Sequence, residues 1–532
     1  MNQNTANNEL LIQGLTLEPA NPKASREGAP RDRDAQTPSG FSGSAMSGSI
    51  LKLATSRGIV IAISFATAPI LGRLFLPHAY GSLGVLTTVL SIIGSFASLS
   101  YVSAIPLAAS PVERRNLFVL CSIIGILATG VVTAGSFLGA NLLAAAFHEP
   151  DVAKYALFLP LLFLAGGVRQ LLDTTLSCQR RFGAVAIRNI LEVSIMRISQ
   201  LGLCLFGLLG SPLALILGSL AGSLVGALTS GVASIRDVFR TVEGHSHLAD
   251  LRTTAVKYRK FPLVLCWSQT INALTFGLPA IILGMQFSVE VVGLYGMAYT
   301  MVTLPLQLFV GGATQVFYVE AGERVAQGQS AGSAVEHLVR VLAILTPFPL
   351  VVVLVLGPLF FSVFLGPRWD EAGVFAQILV PWMALMAFAS PLSVVYLVFN
   401  RQGEGFILNI ILLVARSSAL FFGGMFFGAR EALSLFVACS VIIVGWCIWR
   451  PLFLFGVSRR WATVTIARAY VVPLILLAPA GVLYWSFSAK PLALAALAAA
   501  CVVYSLILYL CHPEVVKTLL GRLFGSRVGR EA

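Results

Sequence analysis

From residue 51 to residue 511 the chain runs again and again through about twenty apolar residues in a row, the length a helix needs to cross a bilayer core. The runs fall at 51–72, 82–108, 117–146, 153–177, 185–209, 212–234, 263–286, 291–313, 338–365, 372–399, 405–428, 432–456, 466–487 and 491–511. Nothing constrains the fold more. In lipid each backbone polar group needs an internal partner, so a chain of such runs folds as a bundle of helices. Composition agrees, with 57% hydrophobic and 11% charged residues, against about a quarter charged in soluble domains. The expected class is an all-α polytopic membrane protein with about fourteen transmembrane helices.

Orientation follows from the basic residues. Of the 36 Lys and Arg, 28 fall on the N-terminal side of the first span, on the even-numbered connections or on the C-terminal tail. Five fall on odd-numbered connections: Arg73, Lys154, Arg368, Arg430 and Lys490. Three lie deeper in spans, away from the cytoplasmic span ends counted among the 28: Arg169, Arg197 and Arg416. The bias predicts both termini in the cytoplasm. It also accounts for the +13 net charge without a nucleic-acid partner.

Residues 1–48 are polar and of mixed charge, and read as a disordered cytoplasmic tail without a removable signal peptide. The eight cysteines lie in or beside spans without metal-ligand spacing, and read as small apolar packing residues. No HExxH, Gly-Lys-Ser phosphate loop or GxSxG is present. The expectation is no enzyme, no metal and no cofactor. The outer connections, such as 148–151 and 488–490, are a few residues long. That is too little to build an extracytoplasmic active site, but enough for hinges.

The two halves carry traces of a repeat. At an offset of 212, Gly81 aligns with Gly293 and Gly84 with Gly296, and Thr88, Ser91 and Ser95 align with Thr300, Thr303 and Gln307. Near an offset of 220, Arg181, Gly183 and Asn189-Ile190 align with Arg401, Gly403 and Asn409-Ile410. With six spans per half, the repeat is parallel. The organisation expected is a tail 1–48, an N-lobe 49–235, a basic linker 236–262, a C-lobe 263–457, two extra spans at 458–512 and a tail 513–532.

Span 5 carries Arg188, Glu192 and Arg197, although an ionised group at mid-bilayer costs roughly 2.5–3.5 kcal/mol to insert. At about 100° per residue, Arg188, Asn189, Glu192, Arg197 and Gln200 occupy half of the helix. Such a helix lines a wet cavity or a protein interior. Arg188–Glu192 and, on span 4, Arg169–Asp173 have i,i+4 spacing and can pair. Arg197 has no partner on its own helix. Arg416, at the related depth on span 11, aligns beside Arg197 at the 220 offset. Gln269 and Asn272 on span 7 and Gln307 on span 8 belong to neutral polar stripes. Ser and Thr in such stripes also bond back to their own helix, and Arg188 can snorkel to the surface. The prolines Pro69, Pro160, Pro279, Pro305 and Pro381 are candidate bends. Surplus guanidinium suits a phosphate-bearing ligand, and the neutral stripes suit a hydroxylated headgroup.

GRLFLPHAYGSLGVLTTVLSIIGSFASLSYVSAIPLA at 72–108, with Arg73 and Tyr80-Gly81, is similar to the opening of Wzx-type polysaccharide and oligosaccharide flippases of the multidrug/oligosaccharidyl-lipid/polysaccharide exporter superfamily. A second stretch, 360–403, resembles the family at the Phe-Leu-Gly-x-x-Trp turn (364–369) and at Pro391-Leu392. The resemblance covers roughly residues 48–460. It implies two six-helix lobes around a central cavity, with spans 13 and 14 outside them. It implies a polyprenyl-diphosphate-linked oligosaccharide as cargo, moved by alternating access for surface or exopolysaccharide synthesis. Membrane lipids are partners, and a polysaccharide polymerase and glycosyltransferases are candidate partners. Candidate substrate-binding residues are Arg197, Arg416, Arg73, Arg169, Arg188, Gln269, Asn272 and Gln307. Three rivals stay open. A cation-coupled multidrug exporter of the same fold would need free carboxylates. Lipid II flippases of the superfamily also have fourteen spans. A membrane-embedded glycan polymerase or ligase would need larger outer loops.

Overall fold

The computed structural model describes residues 43–240, 248–326, 332–393, 402–487 and 489–511. The tails expected at 1–48 and 513–532, and the parts of the linker and of span 10 at 241–247 and 394–399, fall wholly or largely outside those residues. Among them every regular element is helical. Thirteen helices are long and apolar enough to cross a membrane, or fourteen when the bent pair Pro150–Ala156 and Leu159–Cys178 counts as one span.

In chain order, spans 1 to 6 are Gly43–Leu74, Pro77–Ile93, Pro111–Phe147, the bent pair, Phe182–Leu203 and Pro212–Arg240. A linker helix, Leu248–Lys257, follows. Spans 7 to 12 are Cys266–Gln286, Val289–Ala326, Gly332–Leu345 continued by Pro347–Leu365, Asp370–Leu392, Gln402–Phe426 and Ala429–Leu454. Spans 13 and 14 are Arg459–Trp485 and Lys490–Cys511.

Local chemistry sets several ends. Ser110 caps span 3 by accepting from the Glu113 amide at 3.1 Å, and the Glu113 carboxylate accepts from the Ala109 amide at 3.0 Å. His148, left-handed at φ 53°, closes the same helix. Proline does less than expected. Helices run through Pro69, Pro279, Pro305 and Pro381. The bend of 41° in span 4 precedes Pro160, and a second kink, at Leu356, lies two residues before Pro358. Serine and threonine mostly bond back: Ser91 to the Thr88 carbonyl, Thr275 to Ile271 and Thr303 to Tyr299.

Span 2 departs most from its sequence pattern. The expected helix 82–108 ends as an α-helix at Ile93. Short 3-10 turns follow at Gly94–Ala97 and Tyr101–Leu107. Between them Leu99 and Ser100 are both left-handed, at φ 45° and 59°, a conformation that strains residues with a Cβ. The second turn is not a lipid-facing stretch. Tyr101, Val102, Ala104 and Ile105 are buried against Leu117, Cys121 and Leu171. Hydropathy could not separate that turn from a helix, because both are apolar.

Spans 2 and 8 cross close to a two-fold relation. A Cβ on Gly81 would lie 1.8 Å from the Val289 carbonyl oxygen, and a Cβ on Gly293 would lie 1.8 Å from the Pro77 carbonyl oxygen. Both pairs of partners stand 212 residues apart, the sequence offset of the repeat. Beside the crossing, the buried Trp369 indole donates to the Gly72 carbonyl at 2.8 Å and packs edge-on against Tyr80. Arg73 donates to the Val363 carbonyl at 3.0 Å. The lobes are thereby locked at the end that holds the odd-numbered connections. At the other end the linker helix lies on the N-lobe. Lys257 pairs with Glu113, the Tyr258 hydroxyl donates to the Glu113 carboxylate at 3.3 Å, and the Tyr101 hydroxyl donates to the Ala255 carbonyl at 3.1 Å. Glu113 pushes the Lys257 ammonium above its ordinary range.

Spans 13 and 14 pack on span 9. Trp485 donates to the Val355 carbonyl at 2.9 Å and Tyr504 to the Ile344 carbonyl at 2.8 Å, with Phe348 stacked on Tyr504.

The crossing yields a test. Gly81→Ala and Gly293→Ala should each destabilise the protein by about 1–3 kcal/mol in detergent unfolding, since backbone stands where the methyl must go. Gly130→Ala, whose Cβ would meet nothing within 4 Å, should be neutral or stabilising by up to about 1 kcal/mol. Equal effects at all three would refute the close approach.

Candidate functional site

The polar half of span 5 packs against glycine. Gly218, Gly222 and Gly226 of span 6 recur every fourth residue and form a groove. A Cβ on Gly218 would lie 2.4 Å from Gln200 Cγ, and one on Gly222 would lie 2.8 Å from the Glu192 carbonyl oxygen. A Cβ on Gly226 would stand 3.1 Å from the Glu192 carboxylate and 3.3 Å from Arg169 Cδ. The sequence GSLAGSLVG at 218–226 carried that signal, and hydropathy alone passes over it.

Four charges share the groove. Arg188, 5% exposed, donates one guanidinium nitrogen to Asp173 and another to Glu192 Oε2 at 2.6 Å. Arg169 lies 3.6 Å from the same Glu192 oxygen. Ser230 Oγ donates to Asp173 Oδ1 at 2.8 Å. The expected Arg188–Glu192 pair is present. Asp173 makes its ion pair across to Arg188, and Arg169 makes its own to Glu192, so the cluster spans helices rather than following i,i+4 spacing. Two guanidinium groups against two carboxylates sum to zero charge, which is why three helices can bury them together.

Arg197 lies apart from that cluster. It donates to Gln200 Oε1 at 3.0 Å, and Gln200 in turn donates to the Leu215 carbonyl at 3.3 Å. Its Nε is buried without a partner. It is within electrostatic reach of Tyr80, the residue before Gly81 in the crossing helix. One turn further along span 5 Leu201, and beyond it Leu203, pack in the same apolar cluster as Tyr80, Leu71 and Phe75.

Arg416 is enclosed in the C-lobe and 3% exposed. Nε donates to Ser440 Oγ at 2.9 Å. The guanidinium lies over the Trp382 ring at 4.8 Å and near the Phe436 ring at 5.6 Å, a cation–π cage. One terminal nitrogen has no hydrogen-bond partner. Trp382 packs on Tyr299 of span 8, and Tyr299 on Tyr295. Arg416 is within electrostatic reach of both tyrosines. Each lobe thus sets an arginine of its fifth helix against tyrosine of the crossing helix. Among the described residues neither Arg197 nor Arg416 forms an ion pair with a carboxylate.

The remaining candidates are scattered. Arg73 serves the lock between the lobes. Gln269 meets Ser100 Oγ at 3.0 Å, at the break in span 2. Asn272 and Gln307 are exposed on spans 7 and 8. The sequence reading missed Tyr295, Trp382 and Ser440, whose roles come from neighbours remote in the chain.

Removing the middle of the charge cluster should be costly. Arg188→Leu should destabilise the protein by about 3–5 kcal/mol, because two carboxylates stay buried without their shared partner. Adding Asp173→Asn and Glu192→Gln should restore much of that loss in detergent unfolding. No restoration would show that Arg188 acts by packing alone.

Residues 70–374, more than half of the chain, match the family model described as "Polysaccharide biosynthesis protein". No curated protein matches in sequence. Solved structures match in fold. "Lipid II flippase MurJ, inward closed conformation" superposes with a TM-score of 0.66 at 12% identity, covering 86% of this chain and 98% of that one. An inward-facing multidrug resistance MATE family transporter of the MOP superfamily gives 0.56 at 13% identity, over 77% and 98%. A MOP superfamily transporter from Pyrococcus furiosus, titled for the reverse polarity of its binding pocket, gives 0.55 at 13%, over 77% and 95%. The chain belongs to the polysaccharide biosynthesis protein family and has the fold of the multidrug/oligosaccharidyl-lipid/polysaccharide exporter superfamily.

Proposed function

From that membership we propose that the protein is a flippase that carries a polyprenyl-diphosphate-linked oligosaccharide from the cytoplasmic to the outer leaflet, for surface or exopolysaccharide synthesis. One observation supports the reading: Arg416, buried, and Arg197, half-buried with its Nε enclosed, lie at neighbouring positions of the two repeats, and among the described residues neither pairs with a carboxylate. A buried guanidinium with unused donors is costly, and a diphosphate supplies the missing charge and acceptors with paired, charge-assisted bonds. Arg197 is within electrostatic reach of Tyr80 on a helix of the crossing, so binding at Arg197 bears on the lock between the lobes. Arg416 is enclosed, and its encounter with cargo requires the C-lobe to open between spans 8 and 11. Arg169 and Arg188 act through the charge cluster that fixes span 5, and Arg73 and Gln269 through contacts between the lobes. Asn272 and Gln307, polar and exposed on membrane helices, fit a wet cavity that receives the glycan.

The distribution of basic residues supports an orientation with both termini on the cytoplasmic side of the inner membrane. The locked end is then the outer one, and cargo loads from the inner leaflet. A polymerase and glycosyltransferases are the partners such a carrier would serve.

The multidrug reading needs free carboxylates for a cationic drug, and Arg188 engages both Asp173 and Glu192. Lipid II is the second reading. It shares the diphosphate chemistry, and the likeness to MurJ extends over 98% of that chain.

Arg197→Ala and Arg416→Ala should each reduce flipping of labelled lipid-linked oligosaccharide in proteoliposomes at least tenfold, and abolish surface polysaccharide, with normal amounts of protein in the membrane. Parent-like flipping by the double variant would remove both arginines from the site. Transport of lipid II in place of the polyprenyl-linked oligosaccharide would select the second reading.

A further inference from the structure

The repeat is closely matched at one end of the crossing helices and broken at the other. At the Gly81–Gly293 crossing the two helices make reciprocal contacts with the same close distances. Some twenty residues on they differ. Span 2 leaves the helical path at Leu99 and Ser100. At the repeat offset of 212 these align with Gly311 and Gly312, where span 8 continues as helix to Ala326. Side chains with a Cβ therefore hold the left-handed turn, and the two glycines, which would adopt such a turn without strain, sit in an unbroken helix.

Glycine inside a helix destabilises it relative to alanine, so two in succession need a reason. Packing is not the reason. A Cβ on either would meet nothing within 4 Å, unlike Gly81 and Gly293. What they offer is backbone freedom.

The break in span 2 is held from outside. The entrance of span 7 grips it: Trp267 packs edge-on against Phe96, Cys266 Sγ approaches the Ser95 carbonyl at 3.6 Å, and Gln269 meets Ser100. By the same offset, Gln269 aligns with Arg57 at the entrance of span 1. There a Cβ on Gly58 would lie 3.8 Å from Leu308 of span 8, at van der Waals distance.

We propose that Gly311–Gly312 is a hinge: in a second state of the carrier span 8 bends there, gripped by the entrance of span 1, as span 2 is bent and gripped by span 7 in this state. The inference rests on the carrier reading but not on which lipid is carried. It makes the two lobes alternate in which crossing helix is broken, with the glycine crossing as their fixed pivot.

Two measurements test it. Gly311→Ala/Gly312→Ala should reach the membrane at parent levels and melt at the same temperature or higher, yet flip cargo at least tenfold more slowly. Parent-like flipping overturns the hinge. Spin labels introduced by non-cysteine chemistry at Thr300 and Ala326 bracket the site, about 39 Å apart along a straight helix. In bilayer nanodiscs the parent should show that distance and a second, shorter population, with their ratio moved by the alanine pair towards the longer one. A single long distance in the apo protein, with lipid-linked oligosaccharide and with lipid II alike overturns the proposal, whether or not the double variant folds. A parent that moves neither lipid, while still showing two distances, rejects the carrier reading and leaves the hinge standing.

Discussion

The fold depends on two backbones that touch. Within a bilayer no hydrophobic force favours one helix pair over another, since lipid is as apolar as leucine. Contact must come from packing at short range and from hydrogen bonds. The crossing of spans 2 and 8 uses both, with glycine on each strand of the crossing against a carbonyl of the other and Trp369 hydrogen-bonded to Gly72 beside it. The lobes meet there through the same residues taken twice, so the pseudo-two-fold becomes a physical contact as well as a trace in the sequence.

Much of this was legible in sequence. The apolar runs marked the spans, and the 212 offset paired Gly81 with Gly293 before any contact was visible. The polar half of span 5 announced that Arg188 and Glu192 face protein. What escaped had physical reasons. The end of span 2 at Ile93 is set by the left-handed pair Leu99-Ser100 and by the grip of span 7, neither of which alters hydropathy. The partner of Asp173 comes from the next helix because Gly226 lets span 6 approach, and i,i+4 spacing says nothing of that. The cage around Arg416 gathers residues from spans 8, 10 and 12, which no local pattern joins.

The two kinds of buried arginine are separated by their partners. Arg188 shares two carboxylates and cements the N-lobe. Arg197 and Arg416 lean on neutral amide, hydroxyl and ring faces, which orient a guanidinium without cancelling its charge. The arginines with carboxylate partners and those without would look alike in composition. Only the geometry divides them, and the division leaves two positive centres, one per lobe, each within electrostatic reach of tyrosine of a crossing helix.

The central claim is that these two centres hold a diphosphate, and binding tests it most directly. Native mass spectrometry of the purified protein with polyprenyl diphosphate, polyprenyl monophosphate and neutral polyprenol separates headgroup from tail. The account predicts preferred retention of the diphosphate by the parent, and loss of that preference in the Arg197→Ala/Arg416→Ala variant with polyprenol retention unchanged. Undiminished preference for the diphosphate in that variant would contradict it.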